Sequence, residues 1–285
     1  LGWLLDAHRK LKIQGRTKMG TDYLAGKKAS DEQIDAWVDQ FHREGCLFLR
    51  NMLPPDWTDQ MRADLEVALR DNPNGLNNKS QRAHLAHRMF ETSAANLRLF
   101  DMEPMVSLAE AIIGTDCHVI HNNSFISPPG GGLDGWHQDD RPHYIVKDGA
   151  APANVHLPVL FFTANYYLTD VIEIEHGGTE TIPGSHLFGA SPPSRQLDGT
   201  EWEDRIQYNL GPAGSVVLFN NQVWHRGGPN RSQRTRYITQ VTYARRIVGH
   251  KYYPFMNYTM PEHVYAGADD RLRRLLGFLP HGAYG

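Results

Sequence analysis

Residues 215–230 read Ser215-Val216-Val217-Leu218-Phe219-Asn220-Asn221-Gln222-Val223-Trp224-His225-Arg226-Gly227-Gly228-Pro229-Asn230. The apolar run Val216–Phe219 is short and is cut by Asn220-Asn221. A second run then carries His225 up to a Gly-Gly-Pro turn. Short apolar runs bounded by Asn, Gly and Pro are the texture of strands in a β-sandwich or barrel. The same texture holds from Gly114 onward, and the spacing predicts strands over 117–127, 157–168, 215–219, 223–225 and 236–248. Between them lie Pro128-Pro129-Gly130-Gly131-Gly132, His176-Gly177-Gly178, Pro183-Gly184 and Gly211-Pro212-Ala213-Gly214, all turn or loop composition.

Upstream of Gly114 the period changes to that of helices. Ser30-Asp31-Glu32-Gln33 is a capping box, because the Ser30 hydroxyl can accept from the Gln33 N–H. Ile34, Trp37, Val38 and Phe41 follow at i, i+3, i+4 and i+7, and Gly45 stops the helix. Cys46-Leu47-Phe48-Leu49 reads as a short buried strand. A second helix starts at Pro54-Pro55-Asp56, carries Trp57, Met61, Leu65 and Leu69 inward and breaks at Asn72-Pro73-Asn74-Gly75; a third spans 104–113. Past Gly249 the chain is rich in Tyr, Phe, Pro and His, with a short helical patch over 271–278.

Composition narrows the function classes. The chain has 285 residues, with 29 Lys+Arg against 32 Asp+Glu and a net charge of −3, which argues against nucleic acid as the main partner. The apolar stretch Leu157–Phe162 is far too short to cross a bilayer. Cys46 and Cys117 are too few for a disulfide framework or a cysteine zinc cage, and nothing has the parts of a signal peptide, so a cytoplasmic protein is expected. The count that stands out is fifteen histidines.

His137-Gln138-Asp139 places an imidazole and a carboxylate on the same side of a strand, where they can bind one metal together. Chance alone predicts about 1.7 such pairs from this composition, so the motif carries no weight by itself. His225 supplies what it lacks. Two histidines and one carboxylate, the third ligand arriving from a distant strand, make the facial triad of non-haem Fe(II) oxygenases. Three coordination positions stay open in that geometry, two for a chelating 2-oxo acid and one for dioxygen. The far carboxylate of such an acid then needs a guanidinium in an apolar setting, and Arg236 stands eleven positions after His225 at the start of a strand.

With these residues goes a set of shorter matches: Phe41-His42-Arg43-Glu44-Gly45, Leu53-Pro54-Pro55, Gly177-Gly178-Thr179, Ile182-Pro183-Gly184-Ser185-His186 and Gly214–Phe219. In this order and spacing, over 30–246, the chain resembles the phytanoyl-CoA dioxygenase-like branch of the Fe(II)/2-oxoglutarate-dependent oxygenases. The resemblance implies a mainly β fold with helices, a double-stranded β-helix (jelly-roll) barrel under a helical N-terminal layer. It implies Fe(II) on His137, Asp139 and His225, 2-oxoglutarate as cosubstrate with its 5-carboxylate on Arg236, and O2 as oxidant. Hydroxylation of an unactivated C–H bond in a small molecule, in secondary metabolism, is the default outcome. Desaturation, cyclisation, epimerisation and endoperoxidation use the same centre. Related halogenases replace the carboxylate by Gly or Ala, so Asp139 argues against halogenation. Where the family's founding enzyme has a lysine near the His-x-Asp strand, this chain has Ser127, and the strand through Asn165, Tyr166 and Tyr167 is expected to help hold the cosubstrate. A coenzyme A thioester substrate is not implied.

The expected organisation is a basic arm over 1–29, one oxygenase domain over 30–248 (helical layer 30–114, barrel 115–248), and a tail over 249–285 that covers the barrel or forms a homodimer contact. His121, Asn123, Gln138 and Arg141 are candidate substrate contacts, each weighed against an ordinary structural or solvated role. His186 is expected to be structural, and Arg231 and Arg234 solvated. Two other readings stand beside the oxygenase: a jelly-roll metal-binding protein without turnover, and a zinc hydrolase on the same three ligands, which would have no need of Arg236.

Overall fold

The computed structural model describes residues 22–71, 77–78, 83–132, 135–147, 156–252 and 257–279. Most of the basic arm, the Asn72–Gly75 break, and Tyr253 and Phe255 of the tail lie outside them. Helix α1 (Asp31–Glu44) begins as its sequence dictates, with the Gln33 N–H donating to Ser30 Oγ at 3.2 Å. It ends at Gly45, whose φ of +72° lets its N–H donate back to the Phe41 carbonyl. A Cβ there would also meet Val223 Cγ2 at 2.3 Å, so only glycine fits between the helix and the turn before His225.

Strand β1 (Cys46–Leu49) follows, then α2 (Pro55–Asp71), β2 (Asn77–Asn78), β3 (Ala83–His87), α3 (Ala94–Leu97) and α4 (Met105–Ile113). The β half supplies β4 (His118–Ser127), β5 (Phe161–Tyr167), β6 (Thr179–Thr181), β7 (Gln207–Tyr208), β8 (Val216–Asn220), β9 (His225–Gly227) and β10 (Arg236–Ala244). They form a seven-stranded sheet, β1-β8-β5-β10-β4-β3-β2, and a three-stranded sheet, β7-β6-β9. Every pairing is antiparallel. This is the two-sheet frame of a jelly-roll, and among the described residues no strand pairing closes it into a complete barrel.

Side-chain alternation divides the large sheet into two faces. Val216, Leu218, Phe162, Ala164, Val241 and Tyr243 point to the helices and share one core with Phe41, Met61, Met105 and Leu108. Tyr243 fixes that layer by donating to the Leu99 and Phe100 carbonyls at 2.9 and 3.0 Å. The opposite face, with Ser127, Asn165, Phe219, Arg236 and Gln240, lines a cavity shared with the small sheet.

One expectation needs correction. The segment 30–114 is not purely a helical layer, because β2 and β3 join the large sheet next to β4. Ala83-His84-Leu85-Ala86-His87 buries only its alanines fully, so the strand lacks the apolar alternation that sequence reading depends on. The tail packs on the helical side of the same chain: Val264, Leu275 and Leu276 enter the core, and Arg271 pairs with Glu103 at 2.8 Å and Glu110 at 2.5 Å. Helices α5 (Glu262–Tyr265) and α6 (Asp270–Leu275) carry these contacts. Cys46 and Cys117 are buried free thiols, as small apolar residues would be. Among the described residues, no helix is long and apolar enough to cross a membrane.

Leu218 is fully buried between sheet and helices, whereas Ile172 is 54% exposed. Leu218→Ala should lower unfolding free energy by about 2–5 kcal/mol in urea titrations, and Ile172→Ala by no more than about 0.5 kcal/mol. Equal losses would contradict this placement of the core.

Candidate metal centre

Backbone pairing creates the site. The His137 N–H donates to the His225 carbonyl at 3.0 Å, and the His225 N–H returns the bond to His137 at 2.9 Å. Two residues on, the Asp139 N–H donates to the Asn221 carbonyl at 2.9 Å. The segment 137–139 thereby continues the small sheet beyond β9, and its alternation turns His137 and Asp139 to one side. One ligand atom from each of His137, Asp139 and His225 falls within 4.8 Å of the others. Asp139 Oδ1 is 3.9 Å from His137 Nε2 and 3.6 Å from His225 Nε2.

Both imidazoles are oriented by their remaining nitrogen. His137 Nδ1 lies 2.8 Å from the Gly135 carbonyl and His225 Nδ1 lies 2.9 Å from the Val223 carbonyl. A carbonyl can only accept, so each Nδ1 carries the proton and each Nε2 offers its lone pair to the cluster. Phe219 packs on the His225 ring at 4.2 Å between centroids. The His225 side chain is 6% exposed, against 39% for His137 and 23% for Asp139, so the cluster opens on the side of His137 and Asp139.

Electrostatics keep the set ready for a cation. Burial, then repulsion from His225, lowers the His137 pKa to about 4. Burial works to raise the Asp139 carboxyl, but the attraction and hydrogen bonding of His225, with Lys251 and His137, outweigh it and hold the group at about 2. A neutral imidazole at His137 and an ionised carboxylate at Asp139 are forms that bind a divalent metal.

The same cavity, about 220 Å³, reaches Arg236. Arg236 faces Ser127 across β10 and β4, and its guanidinium donates to Ser127 Oγ at 3.1 Å and to the Gly228 carbonyl at 2.9 Å. Its Nε has no partner, and no carboxylate pairs with it among the described residues. Burial therefore pulls its pKa down to about 10, with Tyr167 and Glu180 offsetting only part. Gly177 makes room: at φ +69°, a Cβ would stand 2.8 Å from Arg236 Nη1 and 2.5 Å from the Gly228 oxygen.

Other candidates separate by strand parity. Asn165 lines the cavity and donates through Nδ2 to Thr179 Oγ1 at 3.1 Å. Tyr166 does not belong there: one position along β5, its side chain points to the helices and is buried in their core. Tyr167 does lie on the inner side, but its hydroxyl donates to the Asn209 carbonyl at 2.9 Å. Asn123 is on the inner face and bonded to His87 at 2.9 Å. His121 shares that face farther from the cluster. Gln138 donates to the Asp140 carbonyl at 2.7 Å, and it lines with Arg141 a separate surface hollow beside His137. Neither lines the metal cavity. His186 is structural, its Nε2 donating to the His42 carbonyl at 3.0 Å, and Arg234 is exposed toward Asp170.

Sequence reading missed Phe125, Thr179, Ile238 and Gln240 in the cavity wall. Counting by twos from Arg236 would have found the last two. It also missed Arg226, which donates to Glu180 at 2.6 Å and to both oxygens of Asp198 at 2.8 and 2.9 Å, bracing the small sheet on the side away from His225.

The phytanoyl-CoA dioxygenase (PhyH) family description matches residues 41–238. Among curated proteins, the dioxygenase trt7 of Aspergillus terreus is 22% identical over 280 residues, covering 84% of this chain and 91% of its own. The ectoine dioxygenase of Nocardia farcinica is 25% identical over 222 residues, covering 68% and 72%. In fold, the chain is similar to HygX from Streptomyces hygroscopicus, solved with nickel, 2-oxoglutarate and hygromycin B (TM-score 0.59, 15% identity, 76% of this chain and 87% of that one). It is also similar to SnoK, an alpha ketoglutarate dependent carbocyclase from nogalamycin biosynthesis (TM-score 0.56, 19% identity, 78% and 87%).

A depressed histidine pKa disfavours protonation of the fold, so the unfolded chain binds more protons between pH 6.5 and about 4. Stability from His137 is complete above that window and lost as pH falls through it. The metal-free protein should show a melting temperature that drops across this range, and His137→Gln should make the drop shallower. An unchanged slope would contradict the assigned burial and repulsion. From the match over residues 41–238, the chain belongs to the phytanoyl-CoA dioxygenase (PhyH) family, and it is a dioxygenase.

Proposed function

We propose that this dioxygenase uses Fe(II), 2-oxoglutarate and O2 to oxidise a C–H bond of a small organic molecule in secondary metabolism, with hydroxylation as the default outcome. The observation that carries the reading is Arg236, a buried guanidinium without a counter-ion among the described residues, in the same cavity as the His137–Asp139–His225 cluster. A buried unpaired charge is costly, and an incoming dicarboxylate relieves it. The donor set fits the metal for a second reason: two Nε2 lone pairs and one carboxylate are fixed on one side and leave the other side open.

His137, Asp139 and His225 would hold Fe(II), with Gly135 and Val223 keeping both imidazoles in the Nδ1–H form. Arg236 and Ser127 would receive the far carboxylate of 2-oxoglutarate, and Asn165 with Thr179 would present amide and hydroxyl groups along its length. Bound together, iron, cosubstrate and dioxygen supply the oxidising equivalent for the C–H bond, with succinate and carbon dioxide as coproducts. Phe125, Phe219 and Ile238 give the cavity apolar walls, which exclude water from the oxidation. The zinc hydrolase reading leaves Arg236 without a purpose. A metal-binding protein without turnover does not need the open side of the cluster.

Adding Fe(II) and 2-oxoglutarate under anaerobic conditions should produce a weak visible charge-transfer band. His225→Ala should abolish it, and Arg236→Ala should raise the 2-oxoglutarate concentration needed by about tenfold or more, as expected for losing a charge-assisted bidentate contact. No band from folded, iron-loaded protein would sink the proposal.

A further inference from the structure

The inner face of the large sheet has two chemically distinct ends. At one end stand Arg236 and Ser127. From there β10 runs through Gln240, opposite Asn123 and Asn165, to Thr242, opposite His121 and Thr163. At this second end Thr163 and Thr242 satisfy each other at 3.0 Å, and His121 and the Asn123 amide are left over. The half-buried His121 ring has no hydrogen-bond partner among the described residues. His87 Nδ1 donates to Asn123 Oδ1 at 2.9 Å, which leaves the Asn123 amide N–H2 to donate elsewhere.

Lys251 completes the group. Its neighbours in sequence are anchored, since Tyr252 is buried in the helical core and the His250 ring packs on His118 at 5.0 Å. The Lys251 N–H itself donates to the Ile120 carbonyl at 2.8 Å, placing the residue beside His121. The side chain is exposed, and its ammonium lies 5.3 Å from the centre of the Phe161 ring on the inner face. No carboxylate pairs with it among the described residues, and its charge is felt at both His121 and Asp139.

Lys251, Asn123 and His87 border an open cavity of about 830 Å³. The carboxylates that also border it are engaged: Asp64 accepts from Ser93 at 2.5 Å and Gln60 at 2.7 Å, and Glu91 from Arg88 at 3.0 Å and Tyr258 at 2.7 Å. Asp71 is paired with Arg70 at 3.4 Å. Lys251 and the Asn123 amide are thus the donors this cavity offers, and Asn123 stands two positions along β4 from Phe125, which lines the cavity of the His137–Asp139–His225 cluster.

We propose that Lys251, His121 and Asn123 form an anion anchor for the substrate, which is a small organic acid whose apolar body lies along Phe125 and Phe219 toward the metal ligands. This rests on the dioxygenase reading above and adds to it the substrate class. The competing occupant is 2-oxoglutarate itself, whose carboxylates carry the same charge.

The test compares 2-naphthoate with 2-naphthamide, equal in shape and different in charge, by calorimetric titration of the full-length, metal-free protein. The acid should bind about tenfold more tightly than the amide. Lys251→Met should remove that preference, Lys251→Arg should keep most of it, and His121→Gln should reduce it. In wild-type protein, the His121 ring proton resonance, identified by its loss in His121→Gln, should move with the acid and stay with the amide. No preference, or one unaltered in folded Lys251→Met, would overturn the anchor. So would a Lys251→Met protein whose affinity for 2-oxoglutarate with Fe(II) falls as far as that of Arg236→Met. A wild-type protein without the charge-transfer band but with the acid preference would retire the oxygenase reading and keep the anion site.

Discussion

Everything at the site depends on two backbone hydrogen bonds exchanged between His137 and His225. These residues are 88 positions apart, and the ladder contact brings their rings to 4.3 Å between centroids. An antiparallel hydrogen-bonded pair sets its Cα atoms about 5.5 Å apart, close enough for two side chains on one face to share an ion. Asp139 then needs no separate placement, because strand alternation returns it to the side of His137. The geometry of the His137–Asp139–His225 cluster is thus a property of the sheet.

Around this pair the fold separates two kinds of burial. On the helical face of the large sheet, apolar side chains meet apolar side chains, and burial supplies stability. On the inner face it is spent on polar groups held away from water, Arg236 with Ser127 and Asn165 with Thr179, and the Arg226–Glu180–Asp198 network does the same on the outer side of the small sheet. Buried charge without a counter-ion lowers stability, and in this chain it is concentrated where a dicarboxylate would neutralise it. The cavity is therefore electrostatically prepared at Arg236 and chemically prepared at the His137–Asp139–His225 cluster.

Much of this was legible in the chain itself, for physical reasons that also mark the limits. Capping of α1 and the period of α2 are local, and the structure buries Trp57, Met61 and Leu65 as the spacing implies, with Leu69 half-buried. The candidate ligand cluster was legible because metal chemistry demands few residue types and strands give them a fixed spacing. Arg236 is brought to the same cavity, as the resemblance implied. Tyr166 was misplaced because parity along β5 has no local signal that says which face is inward; that is set by the helices packed on Ala164 and Phe162. Strand β3 was missed because alanine and histidine make a strand only when β4 lies alongside. Lys251 was invisible for a related reason, since its position comes from the burial of Tyr252 and the packing of His250, not from anything about lysine.

In the proposed enzyme one cavity would hold a metal on His137, Asp139 and His225 and a dicarboxylate stretched from that metal to Arg236. Crystals grown with Mn(II) and 2-oxoglutarate, measured at the manganese absorption edge, address this directly. One strong anomalous peak is expected within bonding distance of His137 Nε2, His225 Nε2 and an Asp139 oxygen, with continuous density for 2-oxoglutarate ending on the Arg236 guanidinium. A peak elsewhere, or a cosubstrate whose far carboxylate lies away from Arg236, would contradict it.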